Sequence, residues 1–148
     1  MNRALLISVA LLGALWAGGC DGGEVSATAA APSIHLPAAP GRPGVGYFEL
    51  DVRPAQGALV SVRAPGIGRI ETHETMTSGN MTRMRPLERI PIAEEGRLRF
   101  APGGRHLMLF EMDPALRPGD RVELTFNFER GPARTMAATV RAAGDARH

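Results

Sequence analysis

Arg121-Val122-Glu123-Leu124-Thr125-Phe126-Asn127-Phe128-Glu129 is the stretch that decides the fold class. Val122, Leu124, Phe126 and Phe128 alternate with polar or charged residues, the period of two expected when one face of a strand is buried and the other is wet. Burying four such side chains contributes roughly 1.5–3 kcal/mol each before conformational entropy is charged. These four are read as core and carry no function. Similar short segments recur on either side of it: 47–52, 59–63, 69–75, 81–85, 87–92, 97–100, 106–111 and 134–141. Turn residues divide them, including Pro54-Ala55-Gln56-Gly57, Pro65-Gly66, Ser78-Gly79-Asn80, Glu95-Gly96, Pro102-Gly103-Gly104 and Gly131-Pro132. The 18 glycines and 12 prolines of the 148-residue chain suit that density of turns. No stretch supports a substantial amphipathic helix, so the expectation is a single all-β domain, a sandwich or barrel with antiparallel connections.

The N-terminal end reads differently. Met1-Asn2-Arg3 gives a short positive start, and residues 4–16 form an apolar run that suits a secretory signal and is short for a membrane span. Ala17-Gly18-Gly19-Cys20 follows, and it resembles the lipobox of bacterial lipoproteins, with Ala17 where leucine is usual. Residues 1–20 are therefore expected to be a lipoprotein-type signal with lipidation at Cys20, simple cleavage being the alternative. Either outcome exports the protein, and a lipid on the lone cysteine would spare it unwanted pairing in an oxidising compartment. Residues 21–43 read as a flexible tether ending in an edge strand at Ile34-His35-Leu36, kept from a central position by Pro32, Pro37, Pro40 and Pro43. The β domain is placed at 44–142, with a short tail at 143–148.

Charge excludes one class of function. The 17 basic residues are all arginine, scattered among 15 acidic ones for a net charge of +2, so no nucleic-acid footprint is indicated. Enzymatic signatures are missing as well: there is no glycine-rich phosphate loop, no serine–histidine–acid spacing and no thiol beyond Cys20.

Four soft-ligand side chains do stand out: His73, Met84, His106 and Met108, separated by ten, twenty-one and one residues. Thioether sulfur is a soft donor that Mg²⁺ or Ca²⁺ do not seek, and imidazole suits copper, so the set favours Cu(I) over Cu(II). His106 and Met108, two apart on a strand, project from one face about 7 Å apart along the backbone, with Leu107 and Leu109 facing the core. His73 and Met84 flank the Ser78-Gly79-Asn80 turn, which would bring them together as the other half of the site. Met76 and Met81 are kept as auxiliary donors. Met112 and Met136 read as core filler, and His35 and His148 as incidental.

The spacing H-x10-M-x21-H-x-M resembles that of the PCu(A)C family of periplasmic copper(I) chaperones. Its surroundings are similar too: Gly46-Tyr47-Phe48, Glu71-Thr72-His73-Glu74-Thr75, Met81-Thr82-Arg83-Met84-Arg85, Pro102-Gly103-Gly104-Arg105-His106-Leu107-Met108-Leu109 and Pro118-Gly119-Asp120. The family's early tryptophan is missing around residues 34–37, as is the His- and Met-rich tail of some members. The resemblance implies a cupredoxin-like Greek-key β-barrel or sandwich. It also implies Cu(I) held by His73, Met84, His106 and Met108, and delivery to the copper-site subunit of cytochrome c oxidase, alongside a Sco-type protein. The resulting expectation is a monomeric carrier without catalytic turnover, lipid-anchored in the bacterial periplasm or cell envelope. Its rivals are a copper-sequestering protein of the envelope and a metal-free structural sandwich in which the four residues do not converge.

Overall fold

The alternating segments fold as ten strands in the computed structural model, which describes residues 31–145. They are β1 (Ser33–His35), β2 (Gly44–Asp51), β3 (Ala58–Arg63), β4 (Ile67–Ser78), β5 (Met81–Pro86), β6 (Ile90–Pro91), β7 (Arg97–Phe100), β8 (Arg105–Met112), β9 (Arg121–Phe128) and β10 (Arg134–Arg141). The signal segment with Cys20, residues 21–30 of the tether and residues 146–148 of the tail lie outside the described residues. Among those residues no helix is long and apolar enough to cross a membrane.

Hydrogen bonding orders the strands β5-β4-β8-β2-β1-β10-β9-β3-β6, with β7 paired to β2. β2 changes partner along its length, meeting β8 through Gly44, Val45 and Gly46 and then β7 from Phe48 to Asp51. One apolar cluster receives side chains from every strand except β5. Its centre is aromatic: the Phe48 ring stacks on Phe100 at 4.3 Å and lies tilted against Phe126 at 4.6 Å. Val122, Leu124, Phe126 and Phe128 all point into this cluster, while Arg121 and Glu123 face solvent. The all-β, single-domain expectation holds.

The expected edge strand is the main correction. β1 lies inside the sheet, parallel to β10 and antiparallel to β2, and Ile34 is wholly buried. The prolines do not prevent this because they flank the strand, so all three of its amides remain free for the ladder. Pro32 even contributes, since its carbonyl accepts from the Thr139 amide, while the Leu36 amide donates to the Arg141 carbonyl. The domain therefore begins before residue 44. Segment 87–92 also shrinks, to the two-residue β6, and Pro86 closes β5 instead of standing outside it.

The β4–β5 hairpin turns through Gly79-Asn80, with Ser78 paired to Met81. Gly79 has φ +58°, as the first central position of a hairpin turn matched to strand twist requires.

Phe126→Ala should remove the ring that lies against Phe48 in the aromatic cluster and cost about 3–5 kcal/mol. The outward-facing Glu123→Ala should stay within about 0.5 kcal/mol of the parent. Urea unfolding measures both, and equal losses would contradict this assignment of faces.

Candidate metal centre

The site is assembled by the register of three strands. In the β4–β8 ladder His73 lies opposite His106 and Glu71 opposite Met108. In the β4–β5 ladder Thr75 lies opposite Met84 and His73 opposite Pro86, which sets Met84 diagonally from His73. Opposed residues share a face of an antiparallel sheet, as do residues two apart on one strand. All four sequence-predicted donors therefore project from the same outer face of β5-β4-β8. The other face of these strands takes Ile70, Leu107 and Leu109 toward the core, the two leucines wholly buried.

The two imidazole rings sit with centroids 6.1 Å apart and planes inclined by 36°. Each has one nitrogen engaged and one left bare. His73 Nε2 lies 3.0 Å from the Glu71 carboxylate, and His106 Nδ1 lies 3.1 Å from the Gly104 carbonyl oxygen. Both partners are acceptors, so these nitrogens carry the ring protons and donate. That leaves His73 Nδ1 and His106 Nε2 as buried lone pairs with no hydrogen-bond partner. Burial lowers the His73 pKa below its ordinary 6.5, which favours the neutral, ligating form at pH 7.

Glu71 is itself held in place. Arg69 bonds its other carboxylate oxygen, and the Arg69 guanidinium lies 4.0 Å over the Phe110 ring. Phe110, Arg69, Glu71 and His73 thus form one supporting row on the outer face. A metal-binding imidazole characteristically donates its second N–H to a carboxylate or carbonyl in this manner. The sequence expectations give Glu71 no role of its own. Its spacing two residues before His73 on a strand was the available signal, and His106 stands in the same relation to Gly104.

Exposure grades across the site. His106 is 5% exposed, the His73 side chain 16% and Met84 59%, with Met108 between the extremes. Met76 and Met81, kept as auxiliary donors, are not brought to the site. They pair with Arg83 and Ser78, one residue out of phase with His73 and Met84, and so project from the opposite face of the hairpin. Met112 and Met136 pack against the core as expected, and His35 lies on β1 with its ring edge-on to Tyr47.

Among the described residues no three His, Cys, Asp or Glu side chains come together as a metal-holding group. A hard cation therefore has no oxygen cage here. The arrangement offers two unpartnered imidazole nitrogens on the same sheet face as two methionines, a donor set for a soft ion.

The profile of the LpqE-like lipoprotein family matches residues 25–140. Protein RP573 of Rickettsia prowazekii is 33% identical over 86 residues, covering 56% of this chain and 47% of its own. Lxx21020 of Leifsonia xyli subsp. xyli, which carries a lipoprotein name, is 28% identical over 86 residues, or 56% of this chain and 51% of its own. The chain thus spans about half the length of these curated relatives. Among solved structures, the solution structure of CuI-DR1885 from Deinococcus radiodurans has a TM-score of 0.59 at 24% identity, covering 79% of this chain and 83% of that one. The copper-bound PCuAC domain from PmoF2 has a TM-score of 0.55 at 20% identity, covering 75% and 88%. These two share the fold, the cupredoxin-like architecture expected from the sequence. The family match extends from the tether through nearly all of β10, and the chain belongs to the LpqE-like lipoprotein family.

Proposed function

We propose that this protein carries copper(I) within the cell envelope, binding it through His73 Nδ1, His106 Nε2 and the sulfurs of Met84 and Met108. The observation that carries the reading is the pair of buried, unpartnered imidazole nitrogens on the same face as both methionines. A buried polar atom without a partner is costly, and a bound cation would satisfy both at once. The fold neighbours support the same reading, since they are named as CuI and copper-bound forms. All four donors are neutral, so Cu(I) keeps its charge and affinity comes from softness and geometry. Copper is cargo here, passed by ligand exchange and not turned over.

The same reading extends to place and destination. Lipidation at Cys20 would tether the carrier in the periplasm, in keeping with its family. The resemblance to PCu(A)C chaperones points to the copper site of cytochrome c oxidase as acceptor, with a Sco-type protein as helper. Deleting the gene should lower oxidase activity under copper limitation and leave it normal when copper is ample. Unchanged activity with increased copper sensitivity would favour sequestration instead.

Competition with a chromophoric chelator under anaerobic conditions tests the site. The parent should bind one Cu(I), and the double substitution Met84→Ala, Met108→Ala should abolish competition. Glu71→Ala removes no donor but frees the His73 ring, and should weaken affinity about 10–100-fold. An affinity unchanged by Glu71→Ala would reject the orienting role.

Acidity should act through the imidazoles. Protonation of His73 Nδ1 competes with the metal, and because its pKa is lowered the protein should resist acid further than a free imidazole would. Cu(I) affinity should stay level down to about pH 6 and fall on further acidification, by up to about tenfold per unit as His73 titrates. A flat profile between pH 7.5 and 5 would contradict ligation by histidine.

A further inference from the structure

β5 is the one strand that gives nothing to the core, and all six of its residues are exposed. It ends the strand order and pairs only with β4. Its backbone polarity can be read from its neighbours. The Thr75 amide donates toward β8, to the Gly104 carbonyl, while the Thr72 carbonyl accepts from the Leu87 amide on the β5 side. Even-numbered residues of β4 therefore bond toward β5, through the odd-numbered residues opposite them. Thr82, Met84 and Pro86 are left with their backbone groups facing the free edge. Pro86 has no N–H to offer, and Thr82 and Met84 each present a donor and an acceptor.

Such an edge is a template for another strand. Three of the four exposed large apolar side chains among the described residues sit on this hairpin: Met76, Met81 and Met84, at 49%, 60% and 59%. Charge indicates what would pair with it. Arg105 on β8 contacts Glu74 on β4 at 3.7 Å, and Glu74 accepts from Arg85 on β5 at 2.8 Å. The row thus runs positive, negative, positive, and stops with an arginine at the open edge. Arg83, two residues away on the same face, has no ion-pair partner among the described residues.

A second copy of the chain fits poorly. Antiparallel self-pairing that uses Thr82 and Met84 together, centred on Arg83 or on Met84, sets arginine directly opposite arginine, which is destabilising. We propose that the free edge of β5 docks an extended acidic segment of the protein that exchanges copper with this one, added as a further strand with carboxylates opposite Arg83 and Arg85. The bound segment would run beside Met84, so a sulfur or imidazole donor within it would arrive at the most exposed ligand. This assignment of partner rests on the copper reading; the edge itself does not.

The test uses the isotope-labelled full chain and a blocked peptide, Thr-Glu-Met-Glu-Thr, at roughly the millimolar level suited to a short flexible segment. The Thr82 and Met84 amide signals should shift and their exchange with solvent should slow. A peptide with lysine in place of glutamate should bind about tenfold more weakly. Thr82→Pro, which removes only an outward N–H, should abolish docking, and Arg83→Glu should reverse the preference between peptides. Responses away from β5, equal responses to both peptides, or β5 shifts that grow with protein concentration alone would overturn the proposal. Chelator competition on the same samples separates the two readings. Docking without Cu(I) binding removes the copper assignment, and Cu(I) binding without docking removes the edge.

Discussion

Ile70 opposite Leu109 and Thr72 opposite Leu107 hold β4 in one register against β8, and the site depends on that register. The leucines are wholly buried and cannot move to the outer face without surrendering their apolar contacts. A slip of one residue would turn every β4 side chain over, carrying His73 inward and bringing Thr72 or Glu74 opposite His106. The energy that fixes the face carrying His73 and His106 is therefore core energy. It comes from residues between the ligands in sequence, and it is present whether or not a metal is bound.

Register places the imidazoles on one face but does not aim them. Aim comes from polar groups two residues before each histidine, the Glu71 carboxylate for His73 and the Gly104 carbonyl for His106. The two supports differ in kind. Gly104 is backbone and closes the 101–105 turn, where its amide donates to Ala101 and its carbonyl also accepts from Thr75. Glu71 is a side chain whose position relies on Arg69, which in turn rests on Phe110. His106 is thus held by the fold, and His73 by a chain of side chains that a single substitution can interrupt.

Much of this was legible in the sequence because strands convert spacing into facing so directly. The alternation of residues 121–129 gave the core face of β9, and the one-residue gap between His106 and Met108 gave their shared side. The Gly79-Asn80 turn could be read as a hairpin because glycine there permits a positive φ. Two things were hidden. Proline was treated as a bar to the sheet interior near residues 32–37, although its effect is confined to its own amide, and β1 lies between the prolines. The parity of Met76 and Met81 depends on which residues face each other across the turn. Once Ser78 pairs with Met81, both fall on the side away from Met84, and sequence proximity to the site is misleading.

The exposure gradient bears on how a bound ion would leave. His106 is nearly inaccessible and fixed by backbone, while Met84 sits on a strand with no stake in the core and is more than half exposed. Thioether bonds to copper cost no proton to break, and methionine has the torsional freedom to swing aside. An incoming donor would therefore meet Met84 first, leaving the histidines to hold the ion until a second bond forms elsewhere. On the proposed reading, three donors on the body of the sheet and a fourth on a hairpin outside the core would let binding and release be tuned separately. Core packing would set the first, and the exposure of one edge strand the second.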